Sequence, residues 1–183
     1  MAGPVCIYGN PVLRKPAERV EPVTDEIRKL ADWMFGIMHS ADGIGLAAEQ
    51  VGRTESLFIL DVPSRADENE RGLPNNPGVT MPMVFINSKI IGTSEKTDIA
   101  EEGCLSFPKL YVPVTRPAEV VVRYQDRNGE EKVLNAKGLL ARAIQHESDH
   151  LNGVLLVDHM TQAAKLRNAL LFRKFKKQNK EKK

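Results

Sequence analysis

Apolar residues recur every three or four positions between residues 25 and 40, which is typical of a helix with one buried face. That face consists of Ile27, Leu30, Met34, Ile37 and Met38. Thr24 is suited to cap the first turn, where acidic residues follow, and Asp42-Gly43 stops the pattern. The sequence therefore predicts a helix over residues 25–40.

Short runs with strand character follow this helix. We predict strands at residues 56–62, 83–91, 119–125 and 130–134. The last two flank Asn128-Gly129, a dipeptide that favours a tight hairpin turn. Residues 64–82 are polar and contain Pro, Gly and Asn, so they are expected to form a surface loop.

Helical periodicity returns in the last third of the chain. A second helix is predicted over residues 136–152, with Gly153 ending it, and a third from about residue 161 into the C-terminal segment. Because the strands lie between helices and do not alternate with them, we expect an α+β fold. A single domain would pack antiparallel or mixed strands around the second helix, between an N-terminal and a C-terminal helix.

Composition agrees with one globular domain. The chain has 183 residues, 42% of them hydrophobic and 27% charged. No apolar run is long enough for a membrane span, and no signal peptide is visible. Two cysteines do not form a disulfide framework, which favours a reducing, bacterial-type cytoplasm; a processed organellar protein would have the same features.

Charge is distributed unevenly along the chain. From Lys165 to Lys183 there are nine Lys or Arg residues and one acid, Glu181, so this segment has a net charge of +8. Since the whole chain has a net charge of +2, residues 1–164 have a net charge of −6. We therefore expect a globular main domain over residues 1–164 and a basic tail over residues 165–183. The tail is either a solvated terminus or an arm that seeks phosphate groups, as in RNA.

The strongest chemical signal is the sequence His146-Glu147-Ser148-Asp149-His150, late in the second predicted helix. Residues four apart share a helix face, so His146 and His150 are placed to bind one metal ion. Glu147 is then within reach of a water molecule on that ion. The alternative is a chance pair of structural histidines.

A catalytic metal site normally has a third protein ligand, which must come from elsewhere. The candidates are Cys104, Cys6, His39, His159 and nearby acids. Cys104 is favoured because Gly103 precedes it and Pro108 follows, which predicts an irregular backbone that presents side chains. Taken alone, such a cysteine is more often a small buried residue. Asp149 lies on a different helix face and is expected to be a structural hydrogen-bond partner.

A third segment, Gly43-Ile44-Gly45-Leu46-Ala47-Ala48-Glu49-Gln50, combines two glycines with an amide. The glycines permit close approach of a ligand, and the Gln50 amide can donate to a developing oxyanion. Taken alone, the segment is better explained as a helix stop followed by a strand of small residues.

Together, GIGLAAEQ, EEGCLSFP and QHESDHLNG resemble the three signature motifs of the peptide deformylases, and the opening GNPVLR is similar to that family's N-terminus. The resemblance covers roughly residues 5–160. It implies hydrolysis of the N-formyl group from the initiator methionine of nascent polypeptides, with release of formate. It also implies one divalent metal per chain, most often Fe²⁺, with Zn²⁺, Ni²⁺ or Co²⁺ able to take its place.

The resemblance also implies a role for individual residues. The metal ligands would be Cys104, His146 and His150, and Glu147 would be the general acid/base. Gln50 and the backbone N–H of Leu105 would receive the charge that develops on the formyl oxygen. Gly45 would hold the substrate main chain, and the methionine pocket would be lined or bordered by Ile44, Leu139, Arg142 and Ala143. The partners implied are formyl-methionyl nascent peptides, with ribosomal RNA for the basic tail and no membrane.

Two further positions carry expectations. Arg116 matches a family arginine, and we expect it to pair with Glu102 and brace the Cys104 loop, although an ordinary surface arginine would look the same. Glu49 stands where the family usually has proline. It would point to solvent, loosen Gln50, or bind a changed substrate; we favour the first interpretation.

Two other functions fit part of the sequence. A metallopeptidase or another amidase would use the same His-Glu-x-x-His helix, but Cys104 and the Gln50 segment disfavour it. A non-catalytic metal- or RNA-binding protein would require a closed or lost metal site.

Overall fold

The structure, a computed structural model, describes residues 5–181, with only the backbone for the last two. Residues 1–4 and the last two lysines of the predicted basic tail, Lys182 and Lys183, lie outside this range. Within it, the helices are α1 (Asp25–Ser40), α2 (Gly138–Leu151), α3 (Gln162–Arg167) and α4 (Ala169–Glu181). The strands are β1 (Gly45–Ala47), β2 (Leu57–Leu60), β3 (Met83–Thr93), β4 (Thr97–Gly103), β5 (Tyr111–Pro117), β6 (Glu119–Gln125) and β7 (Glu131–Lys137).

Helix α1 has the predicted bounds. Asp25 and Glu26 occupy its first turn, and its apolar stripe is buried except for Ile27, which is partly buried. Thr24 stands at the N-cap position, but its side chain makes no capping hydrogen bond there. The buried stripe packs against β1 and β2, which gives the helix a tertiary reason to form at this position.

The strands form two antiparallel sheets. Five strands pair in the order β1-β2-β3-β6-β7, and β4 pairs with β5 separately. The predicted hairpin at Asn128-Gly129 is confirmed between β6 and β7, and Gly129 takes the positive φ of +84° that its turn requires. The α+β expectation is therefore correct, with antiparallel pairing throughout the described strands.

Two helix boundaries differ from the prediction. Strand β7 continues to Lys137, so the second helix begins at Gly138 and not at residue 136; Gly138 has a φ of +59°, which interrupts the regular backbone between the two elements. The third predicted helix is two helices, α3 and α4. They separate at Asn168, whose side chain donates to the Ala164 carbonyl at 2.9 Å and caps the end of α3.

Helix α2 crosses the middle of the molecule. It contacts β1, β2, β3 and β7, and most of its residues are buried. Its apolar face joins the core cluster that also contains Phe58, Phe85 and Tyr124. A helix enclosed in this way holds its polar side chains in fixed positions. None of the helices in the described range combines the length and apolar character of a membrane span.

Candidate metal centre and its cleft

Helix α2 and the residue after β4 bring three potential metal ligands together. The ligand atoms of Cys104, His146 and His150 all lie within 4.8 Å of one another. Cys104 Sγ is 3.3 Å from His150 Nε2, and the two imidazole centroids are 5.3 Å apart. The four-residue spacing on a helix therefore does place both imidazoles on one face.

The other candidates for a third ligand have different neighbours. His39 Nε2 lies 2.8 Å from an oxygen of Asp61, and His159 Nε2 lies 2.8 Å from Asp149 Oδ2. Cys6 packs against the apolar cluster that contains Phe107 and Phe172, and its backbone N–H donates to the Gln50 carbonyl. Among the described residues, Cys104 alone of these candidates joins the two histidines.

The donor set fits a divalent transition metal. One sulfur and two imidazoles suit Fe²⁺, Zn²⁺, Ni²⁺ and Co²⁺, and three protein donors leave a position open, as catalytic sites require. Glu147 Oε2 and His150 Nδ1 are both buried without a hydrogen-bond partner among the described residues. An unsatisfied carboxylate oxygen beside three converging ligand atoms is expected where water and an ion complete a site.

Glu102 fixes the orientation of His146. Its Oε2 lies 2.9 Å from His146 Nδ1, which turns the other ring nitrogen toward Cys104 and His150. Carboxylates commonly hold metal-ligating histidines in this way. The expected pairing of Arg116 with Glu102 is present: Arg116 Nε donates to Oε1 at 2.6 Å and Nη2 to Oε2 at 2.9 Å. A second guanidinium, that of Arg142, donates to Oε1 at 2.8 Å.

Glu102 and its partners Arg116, Arg142 and His146, which we call the paired cluster, are connected to further residues of α2. Arg116 Nη1 donates to Asp149 Oδ2 at 3.0 Å, and the same oxygen contacts His159. Asp149 thus has the structural hydrogen-bonding position that its helix face predicted. Arg142 also donates to the Val114 carbonyl at 2.9 Å and to the side chain of Asp98.

Burial acts differently on the carboxyl groups of this region. Burial alone would raise the pKa of Glu102, but hydrogen bonds from His146 and Arg116 outweigh it and hold that pKa far below its usual range. For Glu147, burial dominates and raises the pKa to about 7, although His146 nearby works in the opposite direction. A carboxyl with a pKa near neutrality is suited to exchange protons at cellular pH.

Gln50 presents its amide nitrogen to the same place. Its Oε1 accepts the Ala47 N–H at 2.8 Å, which leaves Nε2 facing Ser106 Oγ at 3.2 Å and Cys104 Sγ at 3.5 Å. Sequence reasoning did not single out Ser106. The available signal was its position two residues after Cys104, on the same irregular segment.

A cleft of about 730 Å³ contains almost every residue that the sequence proposed for the site. It is lined by Ile44, Gly45, Gln50, Cys104, Leu105, Leu139, Arg142, Ala143, His146 and Glu147. His150 lies beneath these residues and is 1% exposed. A Cβ atom on Gly45 would fall 2.4 Å from Glu147 Oε1, so only glycine allows this carboxyl its position.

The favoured interpretation of Glu49 is wrong. Its side chain does not point to solvent: the residue is 0% exposed, and neither carboxyl oxygen has a hydrogen-bond partner among the described residues. It lies in the 3₁₀ turn Ala48–Val51, which packs against α2. Burial, with a smaller contribution from Glu147, raises its pKa to about 8.

The known sequences that resemble this chain are peptide deformylases. Residues 2–166 match the family model described as polypeptide deformylase. The peptide deformylase of Rhizobium meliloti is 44% identical over 174 residues, which are 95% of this chain and 92% of that protein. The peptide deformylase of Salinibacter ruber is 48% identical over 159 residues, which are 86% and 80% of the two chains.

Solved structures that superimpose on this chain are also peptide deformylases. A peptide deformylase from Synechococcus elongatus, crystallised in complex with actinonin, superimposes with a TM-score of 0.79 and 44% identity, covering 93% of this chain and 86% of that one. A peptide deformylase from Ehrlichia chaffeensis gives a TM-score of 0.85 at 34% identity, with coverage of 98% and 97%.

Proposed function

The chain belongs to the peptide deformylase family, and from this premise we propose how its residues carry out the family's reaction. The enzyme hydrolyses the N-formyl group of nascent polypeptides and releases formate. The observation that carries the assignment of residues is the meeting of Cys104, His146 and His150 in one cleft with the Glu147 carboxyl and the Gln50 amide.

Cys104, His146 and His150 would hold one divalent ion. When bound, the ion supplies a Lewis acid for water and for the formyl carbonyl. The thiolate favours a metal that tolerates soft ligands, which supports Fe²⁺ as the native ion with Zn²⁺, Ni²⁺ or Co²⁺ as substitutes. A ferrous site with a thiolate ligand is also sensitive to oxidation, so activity should be highest after anaerobic purification.

Glu147 moves the proton. Its pKa of about 7 allows it to accept a proton from water and to deliver it to the amine that leaves. Gln50 Nε2 and the backbone N–H of Leu105 donate to the formyl oxygen as negative charge builds there. The bond from Ala47 N–H to Gln50 Oε1 holds the amide with its donor side toward Cys104, so this orientation exists before substrate binds.

The methionine side chain takes the apolar part of the cleft. Ile44, Leu139 and Ala143 line it, and Arg142 borders it with its guanidinium turned toward Glu102. Gly45 lines the same cleft, where its backbone would hold the substrate main chain, and its missing side chain lets the Glu147 carboxyl lie close beside it. These contacts recognise a methionine-sized apolar side chain attached to an extended backbone.

The decisive test is formate release by protein purified without oxygen and analysed for metal. The wild type should release formate from a formyl-methionyl tripeptide, and Glu147→Ala should bind metal but lose most of this activity. Glu70→Ala, which removes an exposed glutamate from the loop before β3, is the matched control and should behave as the wild type.

The same assay separates the other functions. Cleavage of internal peptide bonds without formate release would indicate a metallopeptidase. Metal-loaded wild-type protein that releases no formate would contradict the proposal and favour a binding protein.

The basic C-terminal segment is proposed to contact ribosomal RNA. Arg173 and Lys174 are exposed on α4, while Phe172 and Phe175 on its other side are buried against the body. Cations displayed on one face of a docked helix are suited to bind phosphate in a salt-dependent manner. A protein that acts on nascent chains would gain from such a contact near the ribosomal exit.

This contact is tested by charge reversal. The double variant Arg173→Glu, Lys174→Glu should bind ribosomes more weakly at low salt and cleave a free tripeptide normally. Arg65→Glu, Arg71→Glu, which reverses two exposed cations in the loop before β3, is the control. Equal ribosome binding by all three proteins would remove the proposal.

A further inference from the structure

The N-terminal segment Cys6-Ile7-Tyr8 connects the two loops that carry the proposed oxyanion donors. The Cys6 N–H donates to the Gln50 carbonyl at 2.7 Å, and the Tyr8 N–H donates to the Ser106 carbonyl at 2.9 Å. Gln50 supplies one donor itself, and Ser106 follows Leu105, which supplies the other. We call residues 6–8 the strap.

The strap closes a ring of hydrogen bonds. On the strap's side, the carbonyls of Gln50 and Ser106 are held by the N–H groups of Cys6 and Tyr8, which are two residues apart. On the cleft side, Gln50 Nε2 donates to Ser106 Oγ at 3.2 Å. Because both loops are tied at two points, the separation of the Gln50 amide from the Leu105 N–H depends on the position of the strap.

Helix α4 fixes the strap from outside. Asn179 Nδ2 donates to the Tyr8 carbonyl at 2.9 Å and to the Ile7 carbonyl at 3.1 Å. The helix also approaches very closely: a Cβ on Gly9 would lie 3.0 Å from the Cα of Lys176. The same nitrogen lies 3.1 Å from the Phe175 carbonyl of its own helix, so the two N–H groups of Asn179 are shared among three carbonyls and join the strap to α4.

Aromatic packing supports the same contact. Tyr8 stacks on Phe107 with centroids 5.0 Å apart and lies 5.3 Å from the Phe172 centroid on α4. Phe107 follows Ser106, is fully buried, and meets Phe172 and Phe175 edge-on at 6.3 Å. Helix α4 thus holds the strap through Asn179 and the Cys104 loop through Phe107.

We propose that Asn179 is a positioning residue for deformylation, which acts through the strap to set the geometry of Gln50 and Leu105 as oxyanion donors. This inference rests on the proposed function of that site. It assigns part of the C-terminal segment to the catalytic reaction itself, whereas its exposed cations serve a separate contact.

The first test is a kinetic comparison of Asn179→Ala with the wild type. A donor that is removed from such a site costs roughly 10²–10³ in rate, and we expect one that is only loosened to cost roughly three- to tenfold in kcat. The KM for a formyl-methionyl tripeptide should change by less than about twofold, because the donors act on charge that develops after binding. Asn168→Ala is the matched control, since Asn168 makes the same kind of bond, to the Ala164 carbonyl, without touching the strap.

A double-mutant cycle distinguishes positioning from a general structural role. If Asn179 acts through the amide of Gln50, its replacement should lower kcat much less in a Gln50→Ala background than in the wild type. Amide hydrogen exchange gives a second readout: the Cys6 and Tyr8 N–H groups should exchange faster in Asn179→Ala and at the normal rate in Asn168→Ala.

The outcomes separate this inference from the assignment of function. If metal-loaded wild-type protein released no formate, the proposed function would fail. If the wild type were active and Asn179→Ala matched it in kcat, or if the loss of kcat were as large in the Gln50→Ala background, only the role of Asn179 would be overturned.

Discussion

Glu102 and Glu49 are two buried glutamates, one bonded to His146 and the other next to Gln50, and their environments differ completely. Glu102 is 6% exposed and has two guanidinium groups and an imidazole within hydrogen-bonding distance. Glu49 is 0% exposed, and its two oxygens have no partner among the described residues. The pKa of Glu102 lies far below its usual range, whereas that of Glu49 is raised to about 8.

This comparison shows that partners, and not burial, decide whether a buried carboxyl is charged. At pH 7 Glu102 is an anion that orients His146, and Glu49 is largely a neutral acid. Glu49 therefore does not add negative charge beside the proposed metal ligands. It occupies space beside Gln50 and costs stability when it ionises.

Of the substitutions considered, neutralising Glu102 should have the largest effect on stability and metal binding. Glu102→Gln leaves Arg116 and Arg142 buried without their shared anion, and breaking a buried pair in this way costs about 3–5 kcal/mol of unfolding free energy. Loss of the negative charge on the partner of His146 should also weaken metal binding by roughly 10- to 100-fold. Chemical denaturation and a competition assay with a zinc chelator measure the two effects.

The matched control is Glu101→Gln. Glu101 is the preceding residue on β4 and is exposed. It should change the unfolding free energy by less than about 0.5 kcal/mol, as surface substitutions usually do. If the two variants were equally stable and bound zinc equally well, the paired cluster would have no structural role.

Glu49→Gln should remove a pH dependence. Because the folded pKa of about 8 exceeds the ordinary value of 4.5, the native state holds its proton after the unfolded chain has released it. Stability is therefore lost as pH rises through this window. Between about pH 5 and pH 7, at ~1.4 kcal/mol per pH unit, the wild type should lose roughly 3 kcal/mol relative to the variant.

Glu55 provides a control of opposite sign. Its hydrogen bond with Arg53 lowers its pKa, so its contribution is present at neutral pH and is lost on acidification. The free energy of unfolding should be measured across this pH range for both variants. For Glu49→Gln, the difference from the wild type should grow as the pH rises. For Glu55→Gln, the difference should shrink as the pH falls. Parallel curves for the wild type and Glu49→Gln would mean that Glu49 is not held in its neutral form.

Features that depend on local periodicity could be read from the sequence. Helix α1 and the β6–β7 hairpin were predicted because caps, apolar spacing and Asn-Gly act within a few residues. Strands β4 and β5 were missed, and β1 was considered only as an alternative interpretation of the segment before Gln50. Strand β5 contains Pro113 and Pro117, which normally argue against a strand, and it is tolerated here because its sheet has only two strands.

In the candidate site, too, some features could be predicted from local sequence and others only from the folded structure. His146, Glu147 and His150 follow from the spacing on one helix. Cys104 and Gln50 were candidates from their own segments, and the family resemblance implied their roles. The burial of Glu49 depends on how its turn packs against α2, and nothing in its own neighbourhood reveals it. The contact of Asn179 with Ile7 joins residues 172 positions apart, so only the folded chain shows it.

His159→Gln should have the smallest effect, and it tests where the influence of the Glu102 cluster ends. His159 meets Asp149 at the edge of that cluster, where both side chains are about a quarter exposed (28% and 26%). Water screens such a pair, so its loss should cost less than about 1 kcal/mol of unfolding free energy and leave zinc affinity unchanged. Arg116 remains to pair with Asp149 in this variant. A loss comparable to that of Glu102→Gln would contradict the idea that an ion pair contributes less as its exposure increases. It would also extend the essential network from the candidate metal ligands to the end of α2.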